Sequence, residues 1–157
     1  MKTVTIYTDG ACKGNPGPGG FGSVILVMDK NGELHKTEIS KGFRRTTNNR
    51  MEIMAVIHGL EKLDTPSIVD VYSDSQYVVK AFNQGWIESW KRKNWIRKDG
   101  PVKNVDLWQR LLKSMEYHDV RFHWVKGHAN NEFNNRCDEL ASKAATFNYY
   151  EELDLVI

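Results

Sequence analysis

The stretch that decides the fold is Thr47-Asn48-Asn49-Arg50-Met51-Glu52-Ile53-Met54-Ala55-Val56-Ile57-His58-Gly59-Leu60-Glu61-Lys62-Leu63-Asp64-Thr65-Pro66-Ser67-Ile68-Val69-Asp70-Val71-Tyr72-Ser73. Met51, Met54, Ala55, Ile57, Leu60 and Leu63 recur at helical spacing, with Thr47 or Asn48 as N-cap, which predicts a helix over 47–63. Pro66 ends it, because proline cannot donate to the helical ladder. Residues 67–73 are then apolar and rich in β-branched side chains, as a strand should be. A helix feeding a strand belongs to an α/β protein.

Upstream, residues 3–8 alternate like a strand, 13–20 (Lys13-Gly14-Asn15-Pro16-Gly17-Pro18-Gly19-Gly20) read as turn chemistry, and 21–28 form a second, mostly apolar strand. Asn31-Gly32 is a tight-turn signal leading into a third strand over 34–43, which makes an antiparallel meander. The glycines of 13–20 resemble a phosphate cradle only superficially, since no Gly-Lys-Ser/Thr follows and the next element is a strand. They read as a hairpin turn. Downstream come a helix over 75–85, a Trp- and Lys-rich segment over 86–99, a helix over 105–115, a strand over 119–125 and a helix over 134–147. The order βββαβααβα, without repeat or linker, predicts one α/β domain over 1–157 with a mixed sheet. Residues 151–157, acidic then apolar, receive no function.

The chain has 157 residues, 40% hydrophobic and 27% charged, enough for one core and ordinary for a globular protein. No apolar run is long enough to span a membrane, and the alternating start of the chain is no signal peptide. No membrane partner is therefore expected. Cys12 and Cys137 lie far apart, so free thiols in a reducing, cytoplasmic compartment are expected. The net charge of +2 is unevenly spread: six cations against Asp99 give residues 91–103 a local charge of +5, leaving −3 elsewhere. Such a patch can steer a polyanion; it can also be merely a solvated helix face.

Asp9 and Asp74 each end a largely apolar strand and precede a small residue, Gly10 or Ser75. Strand ends are where α/β sheets gather ligands. Asp74 can instead help cap the next helix, and Asp9 can be a turn residue. Glu52 shares its helix face with Ala55, Val56, Gly59 and Leu63, and Asp138 shares its own with Ala141, Ser142 and Ala145. A carboxylate on an inward face needs a cation, because burying it unpaired costs several kcal/mol. Ion pairs with Arg50 or Arg136 are one answer. Four carboxylates from four elements offer another, a site of hard oxygens suited to Mg²⁺ or Mn²⁺ and not to Zn²⁺.

Thr8-Asp9-Gly10-Ala11-Cys12-Lys13-Gly14-Asn15-Pro16-Gly17, Thr47-Asn48-Asn49-Arg50-Met51-Glu52, Ser73-Asp74-Ser75-Gln76-Tyr77, Val125-Lys126-Gly127-His128 and Asn134 through Arg136-Cys137-Asp138-Glu139-Leu140-Ala141 together resemble the type 1 ribonuclease H family, bacterial branch. The resemblance runs from Val4 to about Ala145, with the motifs in the family's order. It implies an RNase H-like fold, a five-stranded mixed sheet with its first three strands antiparallel, flanked by helices. It implies an endonuclease that cuts the RNA strand of RNA–DNA hybrids, leaving 5′-phosphate and 3′-hydroxyl ends. Separately, the sequence gives no sign of an oligomer interface, so a monomer is the default expectation. Asp9, Glu52, Asp74 and Asp138 then fall on the family's ligands for Mg²⁺, with Mn²⁺ a substitute. His128 falls on its loop histidine, which assists proton transfer or product departure.

By the same resemblance Asn15, Asn48, Asn49, Ser75 and Gln76, with Cys12 and Asn134, contact the substrate. Short amides and hydroxyls both donate to and accept from a 2′-hydroxyl, which separates RNA from DNA. Arg45, Thr47 and Asn104 match a pocket for a DNA-strand phosphate. Trp86, Trp90 and Trp95 among Lys91, Arg92 and Lys93 match the family's basic protrusion. Thr47 and Asn48 can also be caps, Asn15 a turn residue, and the tryptophans packing groups. The chain departs from the pattern at Glu132-Phe133 and Asn135, where the family commonly has Pro-Glu and an acidic residue. That change bears on the loop of His128, not on the carboxylates. Two other readings share the fold: a silent hybrid-binding domain, which would not need the carboxylates, and another nuclease or strand-transfer enzyme, which would lack the amides and the protrusion.

Overall fold

The computed structural model describes residues 1–127, 129–147 and Asp154. The expected meander is there: β1 (Lys2–Cys12), β2 (Gly17–Met28) and β3 (Leu34–Thr46) pair antiparallel. Next come α1 (Asn48–Glu61), β4 (Ser67–Ser73), α2 (Gln76–Asn83) and α3 (Trp86–Arg92). A short ribbon of β5 (Ile96–Arg97) and β6 (Gly100–Pro101) follows, then α4 (Val105–Met115), β7 (Asp119–Trp124) and α5 (Glu132–Phe147). The main sheet has five strands in the order β3-β2-β1-β4-β7, with β4 parallel to both β1 and β7. No helix among the described residues is long and apolar enough to cross a membrane.

Strand alternation builds a core on each face of the sheet. Val4 and Ile6 of β1 join Val69 and Val71 of β4 beneath α1, α2 and α4 in the larger cluster. Tyr7, pointing the other way, joins Val24, Leu26 and Cys137 beneath α5. Because β2 is covered on both faces, it reads as a continuous apolar run. Helix α1 is likewise buried on most of its circumference, from Arg50 through Ile57.

Several boundaries differ from expectation. The first hairpin turn is shorter than 13–20, because β1 continues to Cys12 and β2 already begins at Gly17. Gly20 and Gly22 are strand residues on which α5 rests: a Cβ on Gly20 would lie 2.6 Å from Ala144 Cβ, and one on Gly22 2.6 Å from Cys137 O. Their smallness serves helix–sheet packing, not a turn. The Trp- and Lys-rich segment holds α3 and the β5–β6 ribbon, elements the periodicity of so short a stretch does not reveal. Ser142, expected on the inward face of α5, is exposed, whereas Ala141, Ala144 and Ala145 are buried.

Candidate active site

Where β1 stops pairing with β4, the sheet opens. The last parallel pair is Thr8 with Ser73, and Tyr7 stacks on Tyr72 one step earlier, 4.9 Å between ring centroids. The next residues on both strands are Asp9 and Asp74, so the register itself sets them side by side. Asp9 does not end β1, which pairs on with β2 through Cys12. It marks the point where β1 leaves β4.

Glu52 arrives from the other face, and Gly10 lets it in. A Cβ on Gly10 would lie 2.6 Å from the Glu52 backbone nitrogen and 2.7 Å from the Met51 carbonyl carbon. Lacking one, Gly10 accepts the first turn of α1 against β1, and its N–H donates to Glu52 Oε1 at 3.0 Å and to Asp9 Oδ1 at 2.9 Å. One oxygen each from Asp9, Glu52 and Asp74 then lies within 4.8 Å of the others. Asp138 on α5 lines the same cleft, and its carboxyl reaches that of Asp9.

The alternative partners are occupied elsewhere. All five N–H donors of Arg50 go to Asp154, Asp106 and Asn104. Arg136 pairs with Glu38 and Glu139. Ser75, not Asp74, caps α2, its Oγ accepting from Val78 N at 3.2 Å.

Burial, then the charge of Asp74, raises the Asp9 carboxyl to about 8. Burial and the charges of Asp9 and Asp74 hold Glu52 well above the usual carboxylate range. Glu52 Oε2 is buried and has no hydrogen-bond partner. Crowded acids with an unsatisfied buried oxygen are what a divalent cation would relieve, and the oxygen-only donor set fits a hard ion. Asp29, Glu33 and His35 also cluster within 4.8 Å. There the side chains close the β2–β3 turn: Asp29 Oδ1 accepts from the N–H groups of Asn31 and Glu33.

Asn48, Asn49, Ser75, Gln76 and Tyr77 line the carboxylate cleft, whose volume is about 410 Å³. Asn15, exposed on the first hairpin, accepts from Asn48 N through its Oδ1 at 2.9 Å. Thr47 caps α1 by accepting from Arg50 N at 3.3 Å. Cys12 directs its thiol to the carbonyls of Gly17 and Thr46, and Cys137 is buried; both are free thiols. Asn134 is buried in the first turn of α5, so its side chain is not presented to a duplex.

A second depression of about 300 Å³ adjoins the first through Asn49 and Tyr77 and includes Trp90, Arg97, Lys103 and Asn104. Exposed Arg45 and half-buried Thr47 are not among the residues lining it. Trp86, Trp90 and Trp95 are half-buried against the core, with Trp90 5.9 Å from buried Trp108, while Lys91, Arg92 and Lys93 are exposed. Packing and charge thus share one protrusion. His128 lies outside the described residues. Gly127 before it rests on Asp74, since a Cβ there would lie 2.7 Å from Asp74 Oδ2. Tyr77 stands out less in the sequence because it carries no chemical signal of its own. Arg97 and Lys103 enter there only as members of the basic run over 91–103, and Gly10 stands out there only as a small residue.

The RNase H family model matches residues 1–146. A Ribonuclease H of Lachnoclostridium phytofermentans is 58% identical over 144 residues, covering 90% of this chain and 91% of that protein. One of Desulforamulus reducens is 54% identical, covering 92% and 89%. Among solved structures, LC9-RNase H1, described as a type 1 RNase H, superposes with a TM-score of 0.85 at 31% identity, covering 92% of this chain and 72% of that one. LC11-RNase H1, solved in complex with RNA/DNA hybrid, gives a TM-score of 0.65 at 28% identity over 90% and 96%. Family model, close relatives and fold agree with the acidic cleft at the β1–β4 divergence: the chain belongs to the ribonuclease H family.

Proposed function

We infer that the protein is an endonuclease that hydrolyses the RNA strand of RNA–DNA hybrids in a metal-dependent reaction, leaving 5′-phosphate and 3′-hydroxyl ends. The observation that carries this is one cleft in which Asp9, Glu52 and Asp74 converge beside Asn48, Asn49, Ser75 and Gln76. The carboxylates would hold Mg²⁺, or Mn²⁺ in its place, with Asp138 as the fourth ligand. When bound, the ions supply an activated water and stabilise the leaving oxygen. The protein's own part is positioning. Gly10 N–H orients Glu52 and Asp9, and the amides of Asn48, Asn49 and Gln76 are suited to hydrogen-bond 2′-hydroxyls across the minor groove.

His128, in our reading, moves a proton or eases product departure, so His128→Ala slows turnover without abolishing it. Asn104 with Arg45 and Thr47 grips a DNA-strand phosphate, and the α3 protrusion holds the duplex backbone. We read residues 1–157 as one catalytic domain, monomeric and cytoplasmic; the free thiols of Cys12 and Cys137 support the last of these, a reducing compartment.

The test offers labelled RNA–DNA hybrid, RNA duplex, DNA duplex and single strands, each with Mg²⁺ and with EDTA. Loss of RNA from the hybrid alone, only with metal, is expected. Binding without cleavage overturns the enzymatic reading, and cleavage of duplex DNA favours another nuclease of this fold. Replacing Lys91, Arg92 and Lys93 by glutamine should raise KM with little change in kcat. The salt slope of binding should shrink by about one for each phosphate no longer neutralised. A rise in KM independent of salt would instead indicate damaged packing of α3.

A further inference from the structure

We propose that Asp154 is a positioning residue for the substrate cleft, acting through Arg50 on Asn104 and Tyr77. This inference rests on the hybrid-nuclease reading above. Asp154 lies in the terminal stretch for which the sequence suggests no role, yet its side chain is only 2% exposed. It accepts from Thr46 Oγ1 at 2.6 Å, at the end of β3, and takes a bidentate pair of bonds from Arg50: Nε at 2.6 Å and Nη2 at 2.8 Å. The opposite edge of the same guanidinium donates to Asp106, Nη1 at 2.9 Å and Nη2 at 2.7 Å, at the start of α4. Nη1 also reaches Asn104 Oδ1 at 3.3 Å. A planar fork held by carboxylates on two edges has no rotational freedom left.

What that rigid fork orients is the wall of the second depression. Asn104 has a left-handed backbone, φ 64°, which costs a non-glycine residue energy and must be held by its surroundings. It makes no side-chain cap to α4. Instead its amide is fixed at both ends: the oxygen accepts from Arg50, and Nδ2 donates to the Tyr77 hydroxyl at 3.1 Å. Tyr77 lines both the carboxylate cleft and the depression beside it. One chain of hydrogen bonds therefore runs Asp154–Arg50–Asn104–Tyr77 into the substrate groove, while Asp9 and Glu52 are set separately through Gly10. Loss of Asp154 should loosen the groove and leave the reacting centre in place. Asp106 remains to pair Arg50, so the fold should survive the substitution.

The experiment compares full-length wild type, Asp154→Asn, Asp154→Glu, Asn104→Ala and the double variant Asp154→Asn/Asn104→Ala on labelled hybrid with Mg²⁺. It also records the Asn104 side-chain amide signals by NMR in the free protein. Asp154→Asn should raise KM about fivefold or more, the loss expected when a charged hydrogen-bonding partner becomes neutral, and leave kcat within about twofold. Asp154→Glu should recover part of the loss. The double variant should be no worse in KM than Asn104→Ala alone, because the two act in series. The Asn104 amide signals should shift in Asp154→Asn, a result independent of any cleavage. Additive KM effects, a fall in kcat at constant KM, or an unmoved Asn104 amide would each overturn the proposal. Hybrid left uncut by the wild type, together with an Asn104 amide shift in Asp154→Asn, would overturn the functional reading and keep the coupling.

Discussion

Asp9→Asn is expected to abolish cleavage while making the metal-free protein more stable at pH 8. The activity loss should reach about a thousandfold or more, the upper range for removing one preorganised electrostatic group. The stability gain follows from linkage. The folded protein holds the Asp9 proton up to about 8, against 3.8 for an unburied group. Folding therefore favours the protonated acid, and the stability this contributes is full below about pH 4 and is lost as pH rises through 8. Asparagine, neutral at every pH, escapes that decline. At pH 8 the variant should be more stable by about 2–4 kcal/mol, from roughly 1.4 kcal/mol for each pH unit between the two titrations, less the share that Glu52 retains. Adding Mg²⁺ should reverse the order, because an ion bound only by the folded wild type stabilises it by mass action. Denaturant unfolding at pH 4 and pH 8, with and without Mg²⁺, reads all of this. Equal metal-free stabilities at pH 8, or substantial residual cleavage, would contradict the site.

Gly10→Ala should damage both fold and chemistry, although it touches no charge. The new methyl would sit 2.6 Å from Glu52 N and 2.7 Å from Met51 C, backbone atoms of a buried helix that cannot yield as a side-chain tip would. Overpacking of this kind costs about 1–3 kcal/mol, and more where backbone must move. The displacement also carries Glu52 away from Asp9 and strains the two bonds from Gly10 N–H. A shift of about 1 Å in a positioned group can cost a hundredfold in rate. The expected result is a lower melting temperature together with kcat reduced about a hundredfold. A stable, fully active variant would mean that α1 has room the structure does not show.

The contrast between Glu52 and Gly20 shows what a sequence makes legible. Glu52 stands out because its helix face is otherwise apolar, a local pattern that survives without coordinates. Gly20 looks like a turn residue because glycine's local preference is for turns, and Gly22, read within a strand, carries no local sign of a packing role. Their role, to admit α5, depends on a helix more than a hundred residues away. Asp154 is illegible for the same reason: its partner Arg50 lies 104 positions back, and nothing beside it in the chain hints at a buried pair. The five main strands are readable from alternation and turns, and the ribbon of β5 and β6 is not, since two residues carry no period. The four carboxylates stand out by position and family likeness. That Asp9 and Asp74 meet because of the Tyr7–Tyr72 register is a fact only the sheet supplies.

The docking of α5 on the glycines of β2 has a consequence for timing. Asp9, Glu52 and Asp74 have all been translated by residue 74, whereas the fourth carboxylate of the cleft, Asp138, sits on α5. At about 5–20 residues per second, roughly 3–13 s of ribosomal synthesis separate the third from the fourth. During that interval the nascent chain holds three quarters of an acidic cluster and no completed one. A protein built to destroy RNA is thus assembled, on an RNA machine, in an order that leaves its last acidic group until late.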